Sequence, residues 1–171
     1  ERRSVEINVM GPLTGMRLVL PEMVARGSGH IVNVASTAGK AAIPGGVAYC
    51  AAKAAVVHGT EAMRVEFGHT GVDFTVVMPG FVNTDLVAGT KGLRLIPNVD
   101  PEQVATAIAD ALRSRAKDVY VPRLMGPILR TQPLLGRRLR DFFNRKMGAY
   151  DTFLDFDDAK RSHYSSRMGQ S

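Results

Sequence analysis

Tyr49 and Lys53 stand four residues apart in the run Ala48-Tyr49-Cys50-Ala51-Ala52-Lys53-Ala54-Ala55, and Ser36 lies thirteen positions before the tyrosine. Residues at i and i+4 lie one above the other on a helix face, so the phenol and the ammonium can act as a unit. With a reference pKa of about 10, a tyrosine is a poor proton donor or acceptor at neutral pH. A neighbouring cation favours the phenolate and brings the hydroxyl toward the range useful for general acid–base work. Ser36 can supply a second hydrogen bond to a substrate oxygen. The set suits proton transfer at a carbonyl or an alcohol. Chance places such a pair in a chain of this composition about one time in seven. A Tyr and a Lys on one helix face are also commonly a packed ring and a solvated amine, so the surrounding elements decide the meaning of the pair.

Those elements alternate. Apolar positions at helical spacing (Ile7, Met10, Leu13, Leu18, Met23) predict a helix from about Val5 to Ala25, closed by Gly27 and Gly29. His30 to Ala35 is a short run rich in β-branched residues and reads as a buried strand ending at Ser36. Gly39 to Gly46 reads as a loop, and Val47 to Phe67 as a long helix followed by Gly68 and Gly71. Val72 to Met78 predicts a second buried strand, stopped by Pro79-Gly80. Pro101 to Arg115 predicts a helix with Asp100 as N-cap, and Asp118 to Val121 a third strand. This alternation implies an α/β fold, a doubly wound parallel sheet with right-handed crossovers. Functional loops of such sheets sit at the carboxyl ends of the strands, where Ser36 and Pro79-Gly80 fall.

Composition narrows the classes. The chain has 171 residues, 45% hydrophobic and 22% charged, which suits one globular domain with a real core. A single cysteine, Cys50, excludes an internal disulfide and reads as a small buried hydrophobe. His30, His58, His69 and His163 are scattered, so no metal site is expected. No apolar run approaches the roughly 18 residues of a membrane span, and a cytoplasmic location is the expectation. The chain opens at Glu1 in what reads as a helix already under way, as a piece of a longer protein would.

With Ser36, Tyr49, Lys53, Asn8 in Ile7-Asn8-Val9-Met10-Gly11, and Pro79-Gly80-Phe81-Val82-Asn83-Thr84 in hand, residues 5–122 resemble the short-chain dehydrogenase/reductase family. The resemblance implies a Rossmann-type fold and hydride transfer between NAD or NADP and an alcohol or ketone. It makes Tyr49 the general acid/base, with Lys53 holding the nicotinamide ribose. Ser36 binds the substrate oxygen, and Asn8 holds a water in a helix kink. Pro79, Gly80, Val82 and Thr84 line the nicotinamide and pyrophosphate, and Phe81 meets the substrate. Residues 81–97 form a lid whose apolar members (Phe81, Val82, Leu86, Val87, Leu93, Leu95, Ile96) point to a hydrophobic substrate. Pairing through the two long helices, and so a homo-oligomer, is implied as well.

One feature of the family is missing. Its first strand is followed by a glycine-rich turn for the dinucleotide, and no such turn stands here: Gly39, Gly45 and Gly46 follow a different strand. Residues 1–122 therefore read as the catalytic, C-terminal part of the fold, and the chain alone is expected to bind no nicotinamide cofactor detectably and to be inactive. One flank of the strand at 30–35 is expected to lie open. The alternative function is a catalytically incompetent homologue, acting as a membrane-associated or dimerising module.

The net charge of +6 is unevenly placed: residues 123–147 hold seven Lys/Arg against one Asp/Glu, and the rest of the chain is balanced. Leu135, Leu139 and Phe142 fall at i, i+4 and i+7 among these cations, predicting a basic amphipathic helical extension. Such a helix either lies on an anionic membrane surface or packs on its own domain. No nucleic-acid reading motif accompanies the charge, so nucleic acid is not expected as a partner. Residues 148–171 are polar and read as a flexible tail.

Overall fold

In a computed structural model, which describes residues 2–84, 96–146 and 148, three strands form one parallel sheet. They are β1 (Gly29–Val34), β2 (Val72–Pro79) and β3 (Asp118–Val121), in the order β1-β2-β3. Ile31 stands opposite Phe74, Val34 opposite Val77, and Met78 opposite Tyr120. The helices are α1 (Arg2–Val5), α2 (Gly11–Ala25), α3 (Val47–Phe67), α4 (Pro101–Ser114), α5 (Met125–Thr131) and α6 (Arg137–Lys146).

The central strand explains the layering. Side chains alternate faces along a strand, and β2 is apolar on both: Val76, Val77 and Met78 are at most 2% exposed. Val72 and Phe74 pack with Met16 and Leu20 of α2, and Val76 and Met78 with Val56 and Val57 of α3. On the other face Val77 meets Val104, Ala107 and Ile108 of α4. A sheet covered on both faces by crossover helices is what near-continuous apolar strands require. β1 pairs with β2 alone among the described residues, and its Val34 is 45% exposed.

Local signals set the helix ends. At Asp100 a reciprocal capping box with Gln103 starts α4, and the Gln103 side chain accepts the Asp100 N–H at 2.7 Å. Gly27, at φ 67°, closes α2: its N–H reaches the Val24 carbonyl and the Ser28 N–H reaches Met23.

Two elements differ from expectation. The first helix starts at Arg2 and contains a π-helical stretch, Glu6–Met10, in which the Gly11 N–H bonds back to the Glu6 carbonyl. The basic stretch forms two helices, not one. Pro133, which has no N–H to donate, sits in a 3₁₀ turn over Gln132–Leu134, and Leu135 is extended. The apolar stripe is therefore Leu139, Phe142 and Phe143 of α6, without Leu135. The α5 half buries Met125, Gly126 and Leu129, whereas α6 buries nothing. Leu86, Val87, Leu93 and Leu95 of the expected lid, and residues 149–171 of the tail, lie outside the described residues.

Candidate active site

Ser36 lies two residues beyond the carboxyl end of β1, in extended backbone, and is 7% exposed. Its Oγ accepts the Ala38 N–H at 3.1 Å, which caps the 3₁₀ turn Thr37–Gly39. It donates to the Pro79 carbonyl at 3.3 Å, at the carboxyl end of β2. One hydroxyl thus ties two adjacent strand ends together. A serine hydroxyl has one donor and two acceptor lone pairs. One lone pair stays open to a substrate alcohol, and the long bond to Pro79 is the one that can be redirected to a substrate carbonyl.

Lys53 and Tyr49 share the first turns of α3. The Lys53 ammonium stands 5.7 Å from the centroid of the half-buried Tyr49 ring. It donates to the Val34 carbonyl at the end of β1, at 3.3 Å. Burial pushes the Lys53 pKa below its ordinary 10.5. Among the described residues no carboxylate pairs with it. A cation so placed favours negative charge on the phenol oxygen, and its ammonium has three donors to share.

Gly39 seats the serine turn on the helix. A Cβ there would stand 2.7 Å from the Lys53 carbonyl oxygen and 2.9 Å from Val57, so only glycine lets the two backbones meet. Sequence reading treats Gly39 as an ordinary loop glycine and overlooks the Val34 carbonyl. The one available signal is the small pair Ala38-Gly39, which follows Ser36 and faces an alanine-rich helix.

The remaining candidates are distributed around this centre. Asn8 falls in the middle of the π stretch, half-buried while Glu6, Ile7 and Met10 are exposed, and the stretch packs against α3. Such stretches are frequent at functional sites. Pro79 joins the centre directly through Ser36. The Gly80 N–H is committed to the Val121 carbonyl at 2.8 Å and extends the sheet. Beyond it, Val82 bridges to Val99, and the Asn83 amide donates to Asp100 at 2.7 Å, pinning this segment to the start of α4. Phe81 is half-buried, while Thr84 is exposed and turns its hydroxyl back to the Val82 carbonyl at 3.3 Å. The described contacts thus bring Ser36, Tyr49, Lys53 and Pro79 together, with Asn8 on the far side of α3 and Val82 and Thr84 further along the β2 exit. A groove between α4, β3 and α5, lined by Asp110, Asp118, Tyr120 and Arg130, contains none of them.

The class of fold and site is that of an α/β oxidoreductase of Rossmann type. The chain belongs to the short chain dehydrogenase family, whose model matches residues 2–92, a span holding Asn8, Ser36, Tyr49, Lys53 and Pro79 to Thr84. It is 32% identical over 146 residues to "17-beta-hydroxysteroid dehydrogenase 13" of Rattus norvegicus, covering 84% of this chain and 48% of the relative. It is 38% identical over 117 residues to "Ketoacyl reductase HetN" of a Nostoc species, covering 67% and 41%. A short chain dehydrogenase from Burkholderia cenocepacia, solved in complex with NADP, superposes with a TM-score of 0.69 at 25% identity, over 85% of this chain and 58% of that one. The chain spans about half the length of the curated relatives it matches.

Proposed function

We propose that the protein is an NAD(P)-dependent oxidoreductase that interconverts an apolar alcohol and its ketone, with Tyr49 as general acid/base. The observation that carries this is the pair of bonds from Ser36 to Pro79 and from Lys53 to Val34, which hold a hydroxyl, a phenol and an unpaired ammonium at one sheet edge. When bound, the nicotinamide supplies or accepts the hydride. Tyr49 gives its proton to the carbonyl oxygen in reduction and takes it back in oxidation. Ser36 holds that oxygen, and Lys53 stabilises the phenolate and offers donors to ribose hydroxyls. Asn8 holds a water on the α3 side.

The residues fit the nicotinamide end of NAD or NADP. Lys53 is a desolvated cation with no acidic partner among the described residues, and the strand end at Pro79–Gly80 lies beside it. The adenosine end has no counterpart among them, because Gly39 serves helix contact and Gly45, at φ 79°, serves the turn into α3. The apolar substrate class rests on half-buried Phe81 and Val82 and buried Ile96 and Val99 at the strand exit. It also rests on relatives named for a hydroxysteroid and a ketoacyl group. Leu18 and Val19 of α2 and Val65 of α3 are exposed and support pairing of two copies through these helices.

The test is cofactor oxidation by the intact protein, with NADH or NADPH, against ketones graded from small sugars to long-chain and polycyclic compounds. Turnover that rises with apolar size is expected. Activity confined to small polar sugars would overturn the substrate class, and no cofactor oxidation with any ketone would overturn the enzymatic reading.

A further inference from the structure

We propose that α6 docks the protein on an anionic lipid surface. Within the ten residues Arg137–Lys146, five are cationic and one is acidic. None of the ten is buried. Leu139, Phe142 and Phe143 are 47%, 54% and 46% exposed, and their i, i+3, i+4 spacing puts them on one face. The two rings meet edge to face at 5.8 Å, forming a single apolar wedge. Just ahead of the helix, Leu134 is 84% exposed and adds to the apolar surface.

The cations flank the wedge. On a helix with 100° per residue, Arg138 and Arg145 lie on one side of it and Arg140 on the other. Lys146 lies within the wedge, its ammonium 5.7 Å from the Phe142 ring, so its stem covers apolar surface while its head reaches outward. The inner side of the helix holds half-buried Arg140 and Asn144. A protein partner of ordinary composition matches three apolar residues or five cations, not both in alternation. A lipid surface matches both: the wedge enters the acyl boundary by about 5–10 Å and the cations meet headgroup phosphates. The neighbouring α5 already anchors this region by burying Met125 and Leu129, so α6 is free of that task. Among the described residues no helix is long and apolar enough to cross a membrane, so the contact is peripheral. The inference does not depend on the reaction.

The test is pelleting of the full chain with vesicles of equal parts phosphatidylglycerol and phosphatidylcholine, against phosphatidylcholine alone. Pelleting with the anionic vesicles only is expected, with release in about 1 M salt, where the Debye length is about 3 Å. Arg138→Ser/Lys146→Ser is expected to weaken partitioning about thirtyfold, from about fivefold per cation. Phe142→Ser/Phe143→Ser is expected to abolish pelleting while leaving the circular dichroism spectrum and the melting temperature of the chain unchanged. Equal pelleting with both vesicles, or none with either, would overturn the proposal. So would a concentration-dependent dimer lost in the Phe142/Phe143 variant without any vesicle binding by the parent, which would assign the face to a second copy.

Discussion

Lys53→Met is expected to yield a protein that melts at a higher temperature than its parent yet turns over substrate about 10²–10⁴ times more slowly. The two effects have one cause. Burial lowers the Lys53 pKa from 10.5, so the folded state disfavours the charged amine. Between the folded value and 10.5, the unfolded chain binds more protons than the folded one, and stability rises with pH across that window. Below the window the whole penalty is present. Methionine keeps the stem and removes the charge, so the penalty disappears. The opposing loss is one 3.3 Å hydrogen bond to the carbonyl of Val34, a residue exposed enough for water to replace the ammonium. Desolvation therefore wins. Melting curves recorded from neutral pH upward check this: the parent's rise in stability toward alkaline pH should be absent from the variant. A lower melting temperature, or the same alkaline rise in both, would show that Lys53 is not strained by burial.

Arg64→Met is expected to destabilise the fold by about 2–4 kcal/mol. Arg64 lies near the carboxyl end of α3 and its side chain is only 13% exposed. The guanidinium donates to the Phe74 carbonyl at 3.2 Å and the Lys117 carbonyl at 2.9 Å, and pairs with Asp118 at 3.4 Å and with Glu61. It thereby joins α3 to the amino ends of β2 and β3. Methionine preserves the apolar stem but leaves two carbonyls and a half-buried carboxylate without their donor. The exposed pairs Arg2–Glu6 and Arg113–Asp110 offer a contrast, since each is worth about 0–1 kcal/mol or less. Urea unfolding of the parent and the variant measures the difference, and a loss below about 1 kcal/mol would mean that water takes over the guanidinium's bonds.

The parts of this fold that are legible in the sequence are those with local punctuation. Gly46 and Gly68 bracket α3, and Lys117 and Pro122 bracket β3, so the expected bounds of both agree with the structure. The alternation of β-branched runs with helical periods implies the parallel sheet, and family membership confirms the fold class. The π stretch at Glu6–Met10 has no breaker in its sequence and arises where the helix packs on α3, a tertiary effect. The break at Pro133 is written in the chain, but the spacing of Leu135, Leu139 and Phe142 suggests a continuous helix that proline does not allow. At the site, residue types and spacing suffice to select Ser36, Tyr49 and Lys53. The bond from Ser36 to Pro79 spans 43 positions of sequence and depends on the register between β1 and β2. The seat of Gly39 on Lys53 depends on how the turn meets the helix, which no local pattern encodes.

The central claim is that Tyr49 moves the proton while its neighbours hold the substrate and the cofactor. It is tested most directly by Tyr49→Phe in the intact protein, with turnover and nicotinamide binding measured side by side. The ring and its packing over Lys53 are retained, so cofactor affinity should stay within about threefold of the parent, while turnover falls about 10²–10⁴-fold or more. Turnover within about threefold of the parent would contradict the assignment of the base.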